Sequence, residues 1–68
     1  MRHYSTLVVE QDGPIRWVRI NRPEAMNAYT ATMGAELAAA FNHADGEDSI
    51  RVVILSALGR VFSAGADV

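Results

Sequence analysis

The chain has 68 residues, with six basic and eight acidic side chains, a formal net charge of −2 and no cysteine. Its size allows one small domain at most, and the lack of cysteine excludes disulfides and thiolate metal sites. The weak negative charge argues against nucleic acid or an anionic membrane as a partner. The N-terminal sequence lacks the apolar run of a signal peptide, so we expect a cytoplasmic α/β segment with neither nucleic-acid nor membrane partners.

Two antiparallel strands are predicted at the start of the chain. Residues 6–11 are apolar and β-branched, residues 12–14 carry an Asp-Gly-Pro turn signal, and Ile15–Ile20 forms the second strand. Arg16 and Arg19 fall on opposite faces of that second strand, so neither face is uniformly apolar. We therefore expect it to be an outer strand of its sheet.

A helix and a third strand are predicted after a polar connection. Thr30 is the best helix N-cap, and Asp45-Gly46 ends the helix. Its apolar face consists of Met33, Leu37, Ala40, Phe41 and Ala44. Residues 51–57 form a continuous apolar strand, and the order strand, helix, strand predicts a right-handed parallel crossover.

The predicted core draws on all four elements, and the strand over residues 51–57 should be the most buried of them. Its members are Leu7, Val18, Ile20, Leu37, Phe41, Val53 and Leu55. A strand of this kind needs cover on both faces, whereas the sequence supplies one helix. We therefore expect residues 1–68 to be one piece of a longer polypeptide, nicked, split or truncated, with an apolar face of that strand open when it stands alone. The alternative is a small two-layer domain with one open sheet face.

The segment that follows the third strand, GRVFSAGADV, is the candidate ligand site. Ligands of open α/β sheets collect at the carboxyl ends of parallel strands, and the small residues Ala64 and Gly65 let a ligand approach the backbone. A helix starting near Asp67 would leave the N–H of Ala66 free to bind an oxyanion. The alternative is a tight turn whose small residues serve packing alone. A nucleophile elbow, a phosphate-binding P-loop and a dinucleotide fingerprint are all absent.

Two motifs resemble the enoyl-CoA hydratase/isomerase, or crotonase, superfamily. These are NRPEAMNAYT over residues 21–30 and RVVILSALGRVFSAGADV over residues 51–68. In that family an N-R-P-x-x-x-N-A segment precedes the first helix, and G-[KR]-x-F-[SC]-A-G-[AG]-D-[LIV] follows the next strand. Ala57 departs from the glycine that the family often carries there. The resemblance implies the N-terminal β-β-α-β part of a crotonase-type (ClpP/crotonase-like) spiral fold, with residues 1–68 ending at the first oxyanion-hole turn.

The resemblance also implies roles for individual residues. The backbone N–H of Ala66 becomes one of two donors to a thioester enolate oxygen, while the second donor and both acid/base glutamates match positions beyond Val68. The implied substrate- and CoA-binding residues are Glu24, Ala25, Met26, Ala64, Gly65, Asp67 and Val68. Among them, Ala64 offers its backbone to the adenine.

Neighbouring residues are implied to have supporting roles. Asn27 is expected to brace its loop by hydrogen bonds. Arg22 is expected either to face a CoA phosphate or to be paired or solvated within the protein.

The implied function is that of an acyl-CoA enzyme, with hydration of a 2-enoyl-CoA as the first expectation. No separate cofactor or metal is implied, because coenzyme A is part of the substrate. Isomerase, hydrolase and other activities share these motifs and remain open, as does a non-catalytic module that binds CoA or a protein. The implied partners are the acyl-CoA thioester, the remainder of the polypeptide, and further copies in a homotrimer or a hexamer. Residues 1–68 alone are expected to be inactive.

Overall fold

A computed structural model describes residues 4–65 of the chain. In order, its elements are strands β1 (Leu7–Asp12) and β2 (Ile15–Ile20), a 3-10 helix (Pro23–Ala25), the helix α1 (Ala31–Asp45) and strand β3 (Val52–Ala57). The three strands form one sheet in the order β1-β2-β3, with β1 and β2 antiparallel and β2 and β3 parallel. The α/β class and the β-β-α-β order are confirmed, and each predicted strand boundary lies within one residue of the observed one.

The hairpin between β1 and β2 closes through Gly13 and Pro14 as predicted. Gly13 has a φ of +59°, a left-handed conformation that glycine adopts without strain. The register pairs Asp12 with Ile15 and Leu7 with Ile20. This register places Leu7, Val18 and Ile20 in one buried cluster.

Helix α1 begins at the predicted cap. Thr30 has an extended backbone, and its side-chain oxygen accepts a hydrogen bond from the N–H of Met33 at 3.1 Å. Met33, Ala40 and Ala44 are buried, which confirms the predicted apolar face at those positions. The helix ends before Gly46, whose φ of −83° is ordinary, so this glycine is not needed for a left-handed cap.

The core is smaller than predicted. Leu7, Val18 and Ile20 are buried as expected, and the partly buried Leu37 and Val53 pack against them. Phe41 and Leu55 were predicted in the core but are 38% and 40% exposed. The reason is that the buried residues of α1 lie over β1 and β2, so side chains at the β3 side of the helix are only partly covered.

The prediction that Ile15–Ile20 is an outer strand is wrong, because β2 lies between β1 and β3. Its two arginines are paired instead of solvated. Arg16 lies on the helix-covered face, 7% exposed, with hydrogen bonds of 3.1 Å to His43 Nδ1 and to the Gln11 side chain. On the other face Arg19 pairs with Glu10 and stacks on Trp17. Charge on both faces therefore does not identify an edge strand.

The prediction that residues 51–57 are the most buried is also wrong, since β2 holds three buried residues and β3 holds none. In this structure β3 pairs with β2 on one side and forms the edge of the sheet. Val52 is 49% exposed on the face without the helix, and Leu55 is exposed on the helix-covered face. The open surface of β3 thus extends to both faces, not only to one.

Glu36 connects α1 to the start of β1. Its carboxylate accepts hydrogen bonds from the backbone N–H groups of Ser5 at 2.7 Å and Thr6 at 2.8 Å, and also from the Thr6 hydroxyl. Partial burial raises the pKa of Glu36, but the bonds from Thr6 and Ser5 outweigh that effect and hold the pKa below its ordinary value of 4.5. Glu36 is therefore a structural carboxylate that stays ionised.

Neither helix between residues 4 and 65 has the length and apolar character that crossing a membrane requires. The same residues contain no group of three or more His, Asp or Glu side chains placed to hold a metal ion.

Candidate functional site

The connection between β2 and α1 is a tight turn built around Asn27. The 3-10 helix Pro23–Ala25 leads into Met26 and Asn27, which have left-handed φ values of +52° and +55°. Asparagine tolerates this conformation better than most residues, and Met26 adopts it with a backbone hydrogen bond from its N–H to the Pro23 carbonyl at 3.1 Å. The turn brings the side chain of Asn27 into the interior of the chain.

Asn27 fixes the loop that follows β3. Its side chain is 0% exposed and donates to the carbonyls of Leu58 at 2.7 Å and Val61 at 2.6 Å. Its side-chain oxygen accepts from the N–H of Arg22 at 2.7 Å. The predicted bracing role of Asn27 is confirmed.

Two further backbone hydrogen bonds join the same turn to the Ala-Gly segment. The N–H of Ala64 donates to the Met26 carbonyl at 3.0 Å, and the N–H of Tyr29 donates to the Gly65 carbonyl at 2.7 Å. The two sequence motifs, more than 30 positions apart, are therefore in direct contact. The structure brings together the two stretches that the resemblance assigns to coenzyme A.

A cavity of about 420 Å³ lies between the turn after β2 and the first residues of the loop after β3. Its walls are formed by Pro23, Met26, Asn27, Gly59, Arg60 and Val61. Exposed apolar side chains of Met26 and Val61 stand beside the guanidinium-bearing Arg60, so the cavity offers apolar surface with one cation. A ligand with a flat or aliphatic body and an anionic group fits this chemistry.

Gly59 allows the two walls of the cavity to approach each other. A Cβ placed on Gly59 would lie 2.9 Å from the Cβ of Pro23, and the φ of Gly59 is +92°. Both observations exclude a larger residue without movement of the turn. The glycine of the second motif thus has a packing role against the proline of the first.

The backbone of the Ala64-Gly65 segment is partly free for a ligand. The N–H of Gly65 donates to the Ser63 hydroxyl at 3.2 Å, and Gly65 has a φ of +98°. Within residues 4–65 the carbonyl of Ala64 accepts no hydrogen bond, and the residue is exposed. A donor on a ligand, such as an aromatic amine, can reach that carbonyl.

The predicted site residues divide into two groups. Glu24 and Met26 are exposed and Ala25 is half-buried, and Met26 is joined to Ala64 by the hydrogen bond from the Ala64 N–H. The others, Ala66, Asp67 and Val68, lie outside the described residues.

The sequence reasoning overlooked Arg60 as a wall of the cavity and considered Arg22 instead as a phosphate ligand. Arg22 donates from Nη1 to the Ala28 carbonyl at 2.7 Å and so takes part in holding its own loop. The signal for Arg60 was available, because it occupies the basic position of the G-[KR]-x-F motif. Its proximity to Pro23 became visible only in the folded chain.

A family profile for enoyl-CoA hydratase/isomerase matches residues 10–68. The chain belongs to this family. A protein of Mycobacterium tuberculosis assigned as enoyl-CoA hydratase EchA13 is 50% identical to this chain over 56 residues, covering 82% of the chain and 18% of the relative. A crystal structure of an enoyl-CoA hydratase/isomerase from Mycobacterium paratuberculosis superposes with a TM-score of 0.94 at 36% identity, covering 97% of this chain and 26% of the other.

A member with a different assigned activity is also similar. An Arabidopsis thaliana protein assigned as 3-hydroxyisobutyryl-CoA hydrolase 2 is 34% identical over 68 residues, which is 100% of this chain and 18% of the relative. The chain thus spans 18–26% of the length of these family members. The crotonase fold is shown by these comparisons.

Proposed function

We propose that this chain forms the N-terminal part of an acyl-CoA enzyme that adds water to a 2-enoyl-CoA. Coenzyme A lies against Glu24, Ala25, Met26, Ala64 and Gly65, with Asp67 and Val68 at the entrance for the acyl group. The N–H of Ala66 is one of two donors to the thioester oxygen. No separate cofactor takes part, because the CoA moiety belongs to the substrate.

The observation that carries the proposal is the contact between the two motifs around one cavity. The N–H of Ala64 donates to Met26, which lines an opening of about 420 Å³, and the carbonyl of Ala64 accepts no hydrogen bond within residues 4–65. The amino group of adenine is a suitable donor to that carbonyl, and the exposed side chain of Met26 offers apolar surface to the ring. Arg60, in the wall of the same cavity, has the charge and geometry to bind a phosphate of CoA.

The chemistry requires charge stabilisation at the thioester oxygen. When water adds at the β-carbon, electron density moves through the conjugated system onto that oxygen, which becomes an enolate. A fixed backbone N–H binds this oxygen more strongly in the transition state than in the ground state, and one such donor is worth about 3–4 kcal/mol. The glutamates that activate water and return the proton would come from chain beyond Val68.

A hydrolase is the second candidate, favoured by the similarity to the Arabidopsis protein. The same oxyanion donor would stabilise the tetrahedral intermediate formed when water attacks the thioester carbonyl. The two reactions give different products, because hydrolysis releases the free thiol of CoA and hydration does not.

The test uses a joined protein, in which residues 1–68 replace the matching N-terminal part of the M. paratuberculosis enoyl-CoA hydratase/isomerase. The unaltered parent enzyme serves as the control for folding and assembly. With a short 2-enoyl-CoA, we expect hydrated product and no thiol release. The absence of hydrated product from a folded joined protein, beside an active parent, would contradict the proposal.

A further inference from the structure

One contact of the site without an assigned role is a main-chain hydrogen bond. The N–H of Tyr29 donates to the carbonyl of Gly65 at 2.7 Å. We infer that the main-chain N–H of Tyr29 is a positioning group, which fixes the orientation of the peptide group that carries the oxyanion donor. This inference rests on the proposed function.

Covalent geometry links the Gly65 carbonyl to the N–H that follows it. In a planar trans peptide the carbonyl oxygen and the N–H that follows it point in opposite directions. The carbonyl of Gly65 and the N–H of Ala66 belong to one peptide group. Although Ala66 lies outside the described residues, a restraint on the Gly65 carbonyl also restrains the direction of that N–H.

Gly65 cannot hold this orientation by itself. Glycine has the widest backbone freedom of any residue, and a Cβ built on Gly65 would meet nothing within 4 Å. No side chain at that position therefore limits rotation of the peptide group. The bond from Tyr29 acts directly on the carbonyl in question and supplies a restraint.

Tyr29 is itself well anchored. It lies two residues after the fully buried Asn27 and immediately before Thr30, which caps α1. The N–H of Tyr29 is thus held between a buried hydrogen-bond network and a helix of 15 residues. Because this donor has a fixed position, its hydrogen bond restrains the exposed Ala-Gly segment relative to the rest of the fold.

The bond has an electronic consequence as well. A carbonyl that accepts a hydrogen bond polarises its peptide group, which strengthens the N–H on the opposite side as a donor. The Tyr29 contact therefore both directs and strengthens the donor that faces the substrate oxygen. Its effect should be largest where negative charge develops on that oxygen, which is in the transition state.

The test replaces one amide by an ester in the joined protein, made by chemical ligation of synthetic residues 1–68. An ester at residue 29 removes the N–H of Tyr29 and keeps its side chain. The matched control has the same replacement at Glu47, an exposed residue whose N–H donates to the Ala44 carbonyl at 3.1 Å, in the turn after α1. Both proteins lose one main-chain N–H donor, and only the first loses the bond to Gly65. The ester at residue 29 also weakens the Ala28 carbonyl, which accepts from Arg22 Nη1 at 2.7 Å.

We expect the ester at Tyr29 to lower kcat about tenfold or more, because misalignment of an oxyanion donor is costly in the transition state. The dissociation constant of a saturated acyl-CoA should change less than about twofold, since ground-state binding does not use the developing charge. The ester at Glu47 should leave both quantities unchanged. If the N–H of Tyr29 served only to stabilise the fold, its loss would lower thermal stability, but kcat would not fall more than acyl-CoA affinity does.

Equal kcat values in the two ester proteins would overturn the inference while leaving the proposed function intact. A loss of acyl-CoA affinity as large as the loss of kcat would also overturn it, since it would show general damage to the site. Failure of the unmodified joined protein to hydrate enoyl-CoA, beside an active parent, would overturn the proposed function and the inference with it.

Discussion

Asn27 shows how one side chain can connect two distant parts of this chain. Its amide satisfies two carbonyls of the loop after β3 and one N–H of the loop after β2, with no exposure to solvent. Burial of an amide is costly unless its donors and acceptor are paired, and here all three bonds are 2.7 Å or shorter. The residue therefore determines the spacing between the walls of the cavity, while the atoms that face a ligand belong to its neighbours.

Gly65 and Gly13 form a matched pair for a test at the residue scale. Both have a positive φ, and a Cβ on either would meet nothing within 4 Å. Alanine at each position should cost stability through backbone strain alone, about 1 kcal/mol or more. Only Gly65→Ala, which strains the segment bound to Tyr29, should lower kcat/KM for a 2-enoyl-CoA, by about 10- to 100-fold. Equal kcat/KM values for the two variants of the joined protein would contradict the role of Gly65.

Glu36 provides a pH-dependent prediction. Because its folded pKa lies below its ordinary value of 4.5, its ionised form stabilises the fold above that pH. This contribution should be lost as the pH falls below about 4.5 and through the folded pKa. Glu36→Gln should therefore lower the melting temperature of the joined protein at pH 7, by an amount equivalent to about 0.5–1 kcal/mol for a partly exposed carboxylate.

The difference in melting temperature between Glu36→Gln and the unmodified protein should narrow below pH 4.5. Asp48→Asn is a suitable control, since Asp48 is exposed in the turn after the helix. If this difference in melting temperature stayed constant from pH 7 to pH 3.5, hydrogen bonding to the ionised carboxylate of Glu36 would not be the cause of the stabilisation.

At the scale of elements, helix α1 contains a glycine for which the neighbouring loop gives the reason. A Cβ on Gly34 would lie 2.0 Å from the hydroxyl oxygen and 2.8 Å from the adjacent ring carbon of Tyr29. Glycine in a helix interior costs about 0.5–1 kcal/mol relative to alanine. A larger residue does not fit at this position, because the ring of Tyr29 packs directly over the first turns of the helix.

A double-mutant cycle tests this packing. Gly34→Ala alone should lower the free energy of unfolding of the joined protein or leave it unchanged, because the ring must move. In a Tyr29→Ala background the same substitution should raise that free energy by about 0.5–1 kcal/mol. If Gly34→Ala is equally favourable in both backgrounds, the ring does not occupy the space above the glycine.

The sequence predicted the elements better than their relative burial. The hairpin, the Thr30 cap and the parallel pairing of β2 with β3 follow from local signals of turn residues, caps and apolar runs. The central position of β2 follows from these two pairings, with β1 and with β3. The arginines suggested an edge strand because the partners of Arg16, which are His43 and Gln11, become visible only in the folded chain. Similarly, the apolar run of β3 predicts that the strand is buried in the complete fold, but it does not identify the residues that pack against it.

The candidate site was predictable only where a motif carried it. Glu24, Ala25, Met26, Ala64 and Gly65 came from the resemblance, and the structure places these two stretches side by side. Arg60 and the contact between Tyr29 and Gly65 required the folded geometry. Main-chain hydrogen bonds leave no mark in residue type, so a positioning N–H cannot be recognised in a sequence.

At the scale of the whole molecule, part of the exposed apolar surface lies at β3. Val52, Leu55 and Phe62 are exposed apolar side chains at or near this edge. We propose that further polypeptide of the spiral fold covers them, and that the complete protein assembles as a homotrimer or a hexamer. Sedimentation of the joined protein as a monomer would contradict the proposed homotrimer or hexamer. If the side chains of β3 were as exposed in a crystal structure of the joined protein as they are here, the proposal that further polypeptide covers them would be wrong.

The central claim is that this chain supplies an oxyanion donor to an acyl-CoA enzyme whose other catalytic groups lie elsewhere. The most direct measurement is kcat for hydration of a short 2-enoyl-CoA by the joined protein, with the amide of Ala66 intact or replaced by an ester. We predict that the ester lowers kcat by about 100-fold or more, and that residues 1–68 alone show no detectable hydration. An unchanged kcat in the ester protein, or hydration by residues 1–68 alone, would contradict the account.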